Sequence, residues 1–116
     1  MEKKLTFASV EHEQFYTEQL AKCRYNDCYH RALIYTLGIT EDIRKHINQV
    51  FDFAIDMINL NAKRQGWVTG TDARVLKLAF NLYNDNNKCD VSDVFRFDDV
   101  SEYLLQGIAL RWKVQD

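Results

Sequence analysis

Not one of the 116 residues is proline, so every helix in this chain must be started and stopped by capping side chains, glycine or asparagine. Cap residues do stand before apolar runs at intervals: Ser9, Asp27, Thr40, Thr69 or Thr71, and Asp98 or Asp99. Behind each, apolar residues recur at steps of three and four, the period of an amphipathic helix. With no convincing strand alternation and no internal repeat, this pattern predicts an all-α fold.

Ser9 opens a first helix over about residues 9–23, with Glu11 and Glu13 at its positive end. His12, Tyr16, Leu20 and Cys23 follow at helical spacing, with Phe15 beside them. Asp27 caps CYHRALIYTLG, in which Ala32, Leu33, Ile34, Tyr35 and Leu37 cannot all share one face. A helix apolar over most of its surface is central in its domain, and Gly38 is expected to end it in the left-handed conformation. Thr40 caps EDIRKHINQVFDFAIDMI, where Ile43, Ile47, Val50, Phe51, Ala54 and Ile58 form one stripe and predict a single helix over 41–58.

NLNAKRQGWVTGT breaks the pattern, and a fourth helix then runs through DARVLKLAFNLYN. Val75, Leu78, Ala79 and Leu82 mark one side of it, while Leu76, Phe80 and Tyr83 widen the apolar surface. DNNKCDVSDVFRF is a polar connection with a short helical turn around Ser92 to Phe95, tethered to the core by Phe95 and Phe97. The last helix presents Val100, Tyr103, Leu104, Gly107, Ile108 and Arg111, with Gly107 marking close approach of a neighbour. The expected architecture is a compact bundle of about five helices, a single helical domain over residues 1–116.

A hydrophobic content of 47% supports a real core without staples, and a net charge of −2 implies neither a general nucleic-acid binder nor a strongly acidic DNA mimic. No run of about 18 apolar residues offers a membrane span, and MEKKLTF turns polar at Ser9, unlike a signal peptide. Three cysteines cannot form a complete set of intramolecular disulfides, so a cytoplasmic chain with reduced thiols is expected.

Three stretches carry chemistry-bearing residues. CRYNDCYH holds Cys23, Cys28 and His30, with Asp27 beside them; Cys89, His12 and His46 are the remaining zinc donors, but compact knuckle spacing is missing and no metal is expected. Cys28 in the first turn of a helix is the better-placed thiol, although His30, two residues on, does not face it and a distant His12 or His46 would have to serve as base. A buried cysteine at a helix–cap–helix junction is the plainer account.

In GWVTGTDAR, Trp67, Thr69 and Arg74 could anchor a partner, against the plainer account that a threonine caps the helix and Trp67 closes the edge of the core. In the 85–102 segment, Asp85, Asp90, Asp93, Asp98, Asp99 and Glu102 outnumber Lys88 and Arg96, so this stretch could engage a basic groove; D-N-N-K-C-D does not match a calcium loop. Arg24, Arg31 and Arg44, with Tyr25 and Tyr29, could contact nucleic acid if exposed, but solvated helix faces suffice to explain them.

The strings NDCYHRALIYTLGIT and GWVTGTDARVLKLAFNLYN resemble an uncharacterised family of small helical proteins associated with Firmicutes bacteria, their phages and mobile elements. The likeness spans nearly the whole chain and is loosest from Asn84 to Asp99. It brings no catalytic residue or cofactor with it. What it implies is context: a non-catalytic accessory protein of a phage or mobile element, binding a host protein or ribonucleoprotein complex. Inhibition of a nucleic-acid-targeting defence complex, in the manner of an anti-CRISPR protein, is its sharpest form. The proposed contact residues are Trp67, Thr69, Arg74, Asp93, Asp98 and Asp99. A small enzyme using Cys28, with His30 nearby, and a nucleic-acid-binding module are the alternatives, and a homodimer is the other way to cover the second helix.

Overall fold

Ser9 and Asp27 accept the N–H groups of His12 and His30 at 3.0 and 2.9 Å, opening α1 (Val10–Leu20) and α2 (Cys28–Leu37) where cap chemistry places them. The computed structural model describes residues 5–112. Helix α2 is central, as its sequence predicts: every residue from Ala32 to Leu37 is buried, and its neighbours in the chain cover it without a second copy.

Gly38 departs from expectation. Its φ of −78° and ψ of −5° are right-handed, so it is no left-handed stop. What α1 requires there is the missing side chain: a Cβ at Gly38 would stand 2.6 Å from Phe15 Cδ1 and 2.8 Å from His12 Cδ2. Arg44 donates to the Gly38 carbonyl at 2.8 Å, supplying the positive charge that a helix C-terminus favours.

The single helix expected over 41–58 is replaced by several elements. Thr40 opens α3 (Glu41–Lys45), the chain breaks at His46 (φ −118°, ψ 26°), and α4 (Ile47–Val50) leads straight into a hairpin. Strand β1 (Phe51–Asp52) pairs antiparallel with β2 (Met57–Ile58), Phe51 opposite Ile58 and Asp52 opposite Met57. Local side chains drive both breaks. His46 turns its Nδ1–H to the Asp42 carbonyl at 2.7 Å while Trp67 stacks on its ring, the centroids 4.3 Å apart. Asp52 accepts the N–H groups of Ala54 and Ile55 at 2.9 and 3.3 Å, a turn that competes with the helical ladder. Phe51, Phe53, Ile55 and Met57 also alternate with Asp52, Ala54 and Asp56, so a period of two lay beneath the helical stripe.

A 3₁₀ turn over Leu60–Arg64 precedes α5 (Gly70–Tyr83), which Thr69 opens rather than Thr71. Thr69 accepts the Asp72 N–H at 3.2 Å and the Asp72 carboxylate accepts the Thr69 N–H at 3.0 Å, a reciprocal capping box. Val75, Leu76, Leu78, Ala79, Phe80 and Leu82 bury the inner side of α5 against α2. The short turn expected near Ser92 is α6 (Val91–Val94), and α7 (Asp99–Trp112) follows, with Asp98 accepting the Ser101 N–H at 3.2 Å. Helix α7 packs on α2 and buries Leu104, Gly107 and Arg111; a Cβ on Gly107 would overlap the Thr36 hydroxyl.

The described residues thus form a mostly helical globule of seven α-helices and one two-stranded sheet, not five helices alone. None of the described helices is long and apolar enough to cross a membrane.

Candidate functional site

The densest set of polar contacts grows from His30, the third residue of α2. Its backbone N–H and ring Nδ1–H both go to Asp27 Oδ1, at 2.9 and 2.7 Å, and its Nε2–H goes to Asp56 Oδ1 at 2.7 Å. Carboxylate oxygens accept, so both bonds are made at once only when both nitrogens carry protons and the ring is an imidazolium between two carboxylates. Burial opposes that charge, but the hydrogen bonds to Asp27 and Asp56 outweigh it and hold the His30 pKa above its ordinary value. Burial likewise pushes against ionised Asp27, and the contacts with His30 prevail, keeping its carboxyl below the usual range.

Asp56 sits at a left-handed φ of 58°, and its carbonyl accepts the Tyr83 hydroxyl at 2.7 Å. Arg24 donates to the neighbouring Ala54 carbonyl. The turn of the hairpin is therefore tied to α2, to α5 and to the connection between α1 and α2. Beside it lies an open cavity of about 420 Å³ lined by Asp27, Tyr29, His30, Tyr83, Asn84 and Asp85. Buried Arg111 backs its wall, with its guanidinium 3.9 Å over the Tyr29 ring and 3.6 Å from Asp85. Asp56 escaped the sequence reading because it lies 26 residues from His30 and belongs to no motif.

Cys28 occupies the first position of α2, as the cap predicts, and is half-buried. The bases proposed for it are engaged elsewhere. His30 has both nitrogens on carboxylates. His12 is buried, with Nδ1 accepting the Ala8 N–H at 3.0 Å and Nε2–H donating to the Tyr35 carbonyl at 2.7 Å; burial lowers its pKa to about 4. His46 is turned to Asp42 beneath Trp67. Burial, reinforced by Asp56 and Asp27, pushes the Cys23 thiol up to about 11, and burial raises Cys89 as well. Among the described residues no cluster of three or more His, Cys, Asp or Glu is arranged to hold a metal.

Of the residues singled out in GWVTGTDAR, Trp67 donates its Nε1–H to Gln49 at 3.0 Å and Thr69 sits in the capping box, so both help build the entry to α5. Arg74 joins a different partner. Its Nε–H donates to the Val94 carbonyl at 2.8 Å and its guanidinium reaches both oxygens of Asp98 at 2.8 and 3.3 Å. Two residues proposed separately as contacts, Arg74 and Asp98, are thus one tether from α5 to the 85–102 segment. The hydrogen bond from Arg74 is the main cause that holds the Asp98 carboxyl at about 2.

Along that segment Phe95 is half-buried against the core, but Phe97, expected to help tether it, is fully exposed. Arg74 and Ser101 hold the backbone before Phe97, at Val94 and Arg96, Arg74 also holds the Asp98 side chain after it, and the ring is left outside. Asp93 and Asp99 are exposed, as is Val91. Arg24, Arg31 and Arg44 each donate to a main-chain carbonyl, of Ala54, Asn26 and Gly38 respectively, so these three charges serve local structure.

No curated protein and no solved structure matches the chain. Across residues 2–115 it matches the model of DUF6075, a family of unknown function, and it belongs to that family.

Proposed function

We propose that this protein acts by binding rather than by catalysis, presenting its 85–102 segment to a basic surface on a host macromolecule. The observation that carries this reading is Phe97, a large aromatic side chain fully exposed on a segment whose exposed carboxylates include Asp93, Asp99 and Glu102. Its backbone is fixed before contact: Ser101 bonds the Arg96 N–H and carbonyl at 2.9 and 2.8 Å, and Arg74 grips Asp98. An aromatic anchor held on an ordered segment rich in carboxylates suits a binding hot spot, because little conformational entropy is lost on contact. The carboxylates would steer the segment toward a cationic groove, such as the nucleic-acid path of a host protein or ribonucleoprotein. Within this reading, inhibition of a nucleic-acid-targeting defence complex in the cytoplasm is the sharpest form, the one that the resemblance drawn from the sequence would imply. No cofactor takes part.

The test places a photo-crosslinking phenylalanine analogue at position 97 and, as control, at exposed Val10 of α1. Irradiation in host lysate should give one discrete adduct from position 97 and none from position 10. Phe97→Ser combined with Asp93→Lys and Asp99→Lys should abolish capture of that same partner without lowering Tm. Asp98 is left intact, since reversing its charge would break the Arg74 tether. Equal crosslinking at both positions, or undiminished capture by the triple variant, would end the proposal.

A further inference from the structure

We propose that Asp27, His30 and Asp56 form a pH-sensitive latch, which holds the 51–58 hairpin against α2 while the His30 ring carries two protons and loosens that hold when one is lost. The geometry imposes this. Both ring nitrogens stand 2.7 Å from a carboxylate oxygen, and the two carboxylates belong to elements brought together only by folding. A neutral imidazole has a single N–H and can serve one carboxylate; the other then faces a nitrogen lone pair. Asp27 keeps its place in either case, because it also caps the backbone N–H of His30 at 2.9 Å. Asp56 is the partner that lets go. Its left-handed φ of 58° makes its conformation an uncommon one for a non-glycine residue, and it relaxes on release.

His30 is the group whose change of charge works the latch. On its own helix it faces Asp27, with Arg31 beside that carboxylate; the hairpin contributes Asp56. The connection before α2 contributes Tyr25 and, near the two carboxylates, Cys23, whose thiol stays protonated to about 11. Helix α5 contributes Tyr83, which burial and Asp56 keep in its neutral form, while β1 offers only the Phe51 ring. Across the cavity stand Asp85 and its partner Arg111 of α7. With the latch open, His30 returns to its ordinary titration near about 6.5. The closed form therefore binds more protons above that point. Closure is complete below it and weakens as pH rises, by up to about tenfold per pH unit, until the closed form has itself titrated.

The experiment follows the His30 ring signal by NMR and amide exchange of residues 54–58 in the full chain, corrected for intrinsic exchange, from about pH 5.5 to 9. In the wild type, His30 should titrate above about 6.5 and hairpin opening should rise with pH by up to about tenfold per unit before levelling. Asp56→Asn keeps an acceptor and tolerates the left-handed backbone, yet lacks the charge; its His30 should titrate lower and its hairpin opening should change less with pH. His30→Gln should leave the opening independent of pH. A wild-type His30 titrating at or below about 6.5 would overturn the latch. So would hairpin exchange that follows pH equally in the wild type and Asp56→Asn, a comparison that stands even if His30→Gln does not fold.

Discussion

Gly38 and Gly107 lie where two helices close on α2, and at each the absence of one carbon sets the distance of approach. The Phe15 and His12 rings occupy the space a Cβ would take at Gly38, and the Thr36 hydroxyl occupies it at Gly107. Gly38→Ala and Gly107→Ala should therefore each destabilise by about 1–3 kcal/mol, as overpacked sites do. Gly66, with nothing near its Cβ position, is the control: Gly66→Ala should stay within about 0.5 kcal/mol of the parent, all three read from urea midpoints. The sequence announced close packing at Gly107, since it falls on the apolar face of a helix. At Gly38 the same residue type, placed after a helical run, suggested a turn; only the position of α1 distinguishes the two uses of glycine.

Among the elements, the stretch 41–58 teaches most about what periodicity can decide. Ile43, Ile47, Val50 and Phe51 are all buried, so four of the six residues of the stripe were rightly placed inside. Beyond Phe51 the residues satisfy periods of two and of three to four alike, and the choice falls to the turn made by Asp52 and to partners far along the chain, His30, Arg24 and Tyr83. The 85–102 segment shows the same dependence. Its short helix and its acidic bias were legible, but the grip of Arg74 on Val94 and Asp98 was not. Arg74→Ala removes a part-buried bond to the Val94 carbonyl and an exposed ion pair with Asp98 and should cost about 1–2 kcal/mol. It should also speed proteolysis between Asp85 and Asp98 well before global unfolding, measured by limited digestion followed by mass spectrometry.

For the molecule as a whole, the buried histidines impose opposite slopes on stability. His12 is neutral in the fold, its pKa lowered to about 4 by burial, while in the unfolded chain it titrates near its ordinary 6.5. Between those values the unfolded state binds more protons, so the contribution of His12 is present above 6.5 and lost as pH falls toward 4. The urea midpoint should drop through that window, and His12→Gln should flatten the drop even if it lowers the midpoint throughout. His30 acts with the opposite sign: its contribution is present below about 6.5 and lost as pH rises through its raised folded value. Together they predict a stability maximum near neutral pH, checked by equilibrium unfolding of the wild type and the His12 variant across the range.

What the sequence determined by itself is what local chemistry can specify: the caps at Ser9, Asp27 and Thr40, the helical runs behind the first two, and the central place of α2. A capping side chain reaches a backbone N–H three residues away, and an apolar period is counted within one element, so both are written in consecutive residues. Tertiary structure alone decided that His30 meets Asp56, that Arg74 meets Asp98, and that Phe97 faces solvent while Phe95 packs inward. Those outcomes depend on long-range distances between side chains whose separation along the chain carries no signal, because ionic and aromatic partners are chosen by the packing of whole helices.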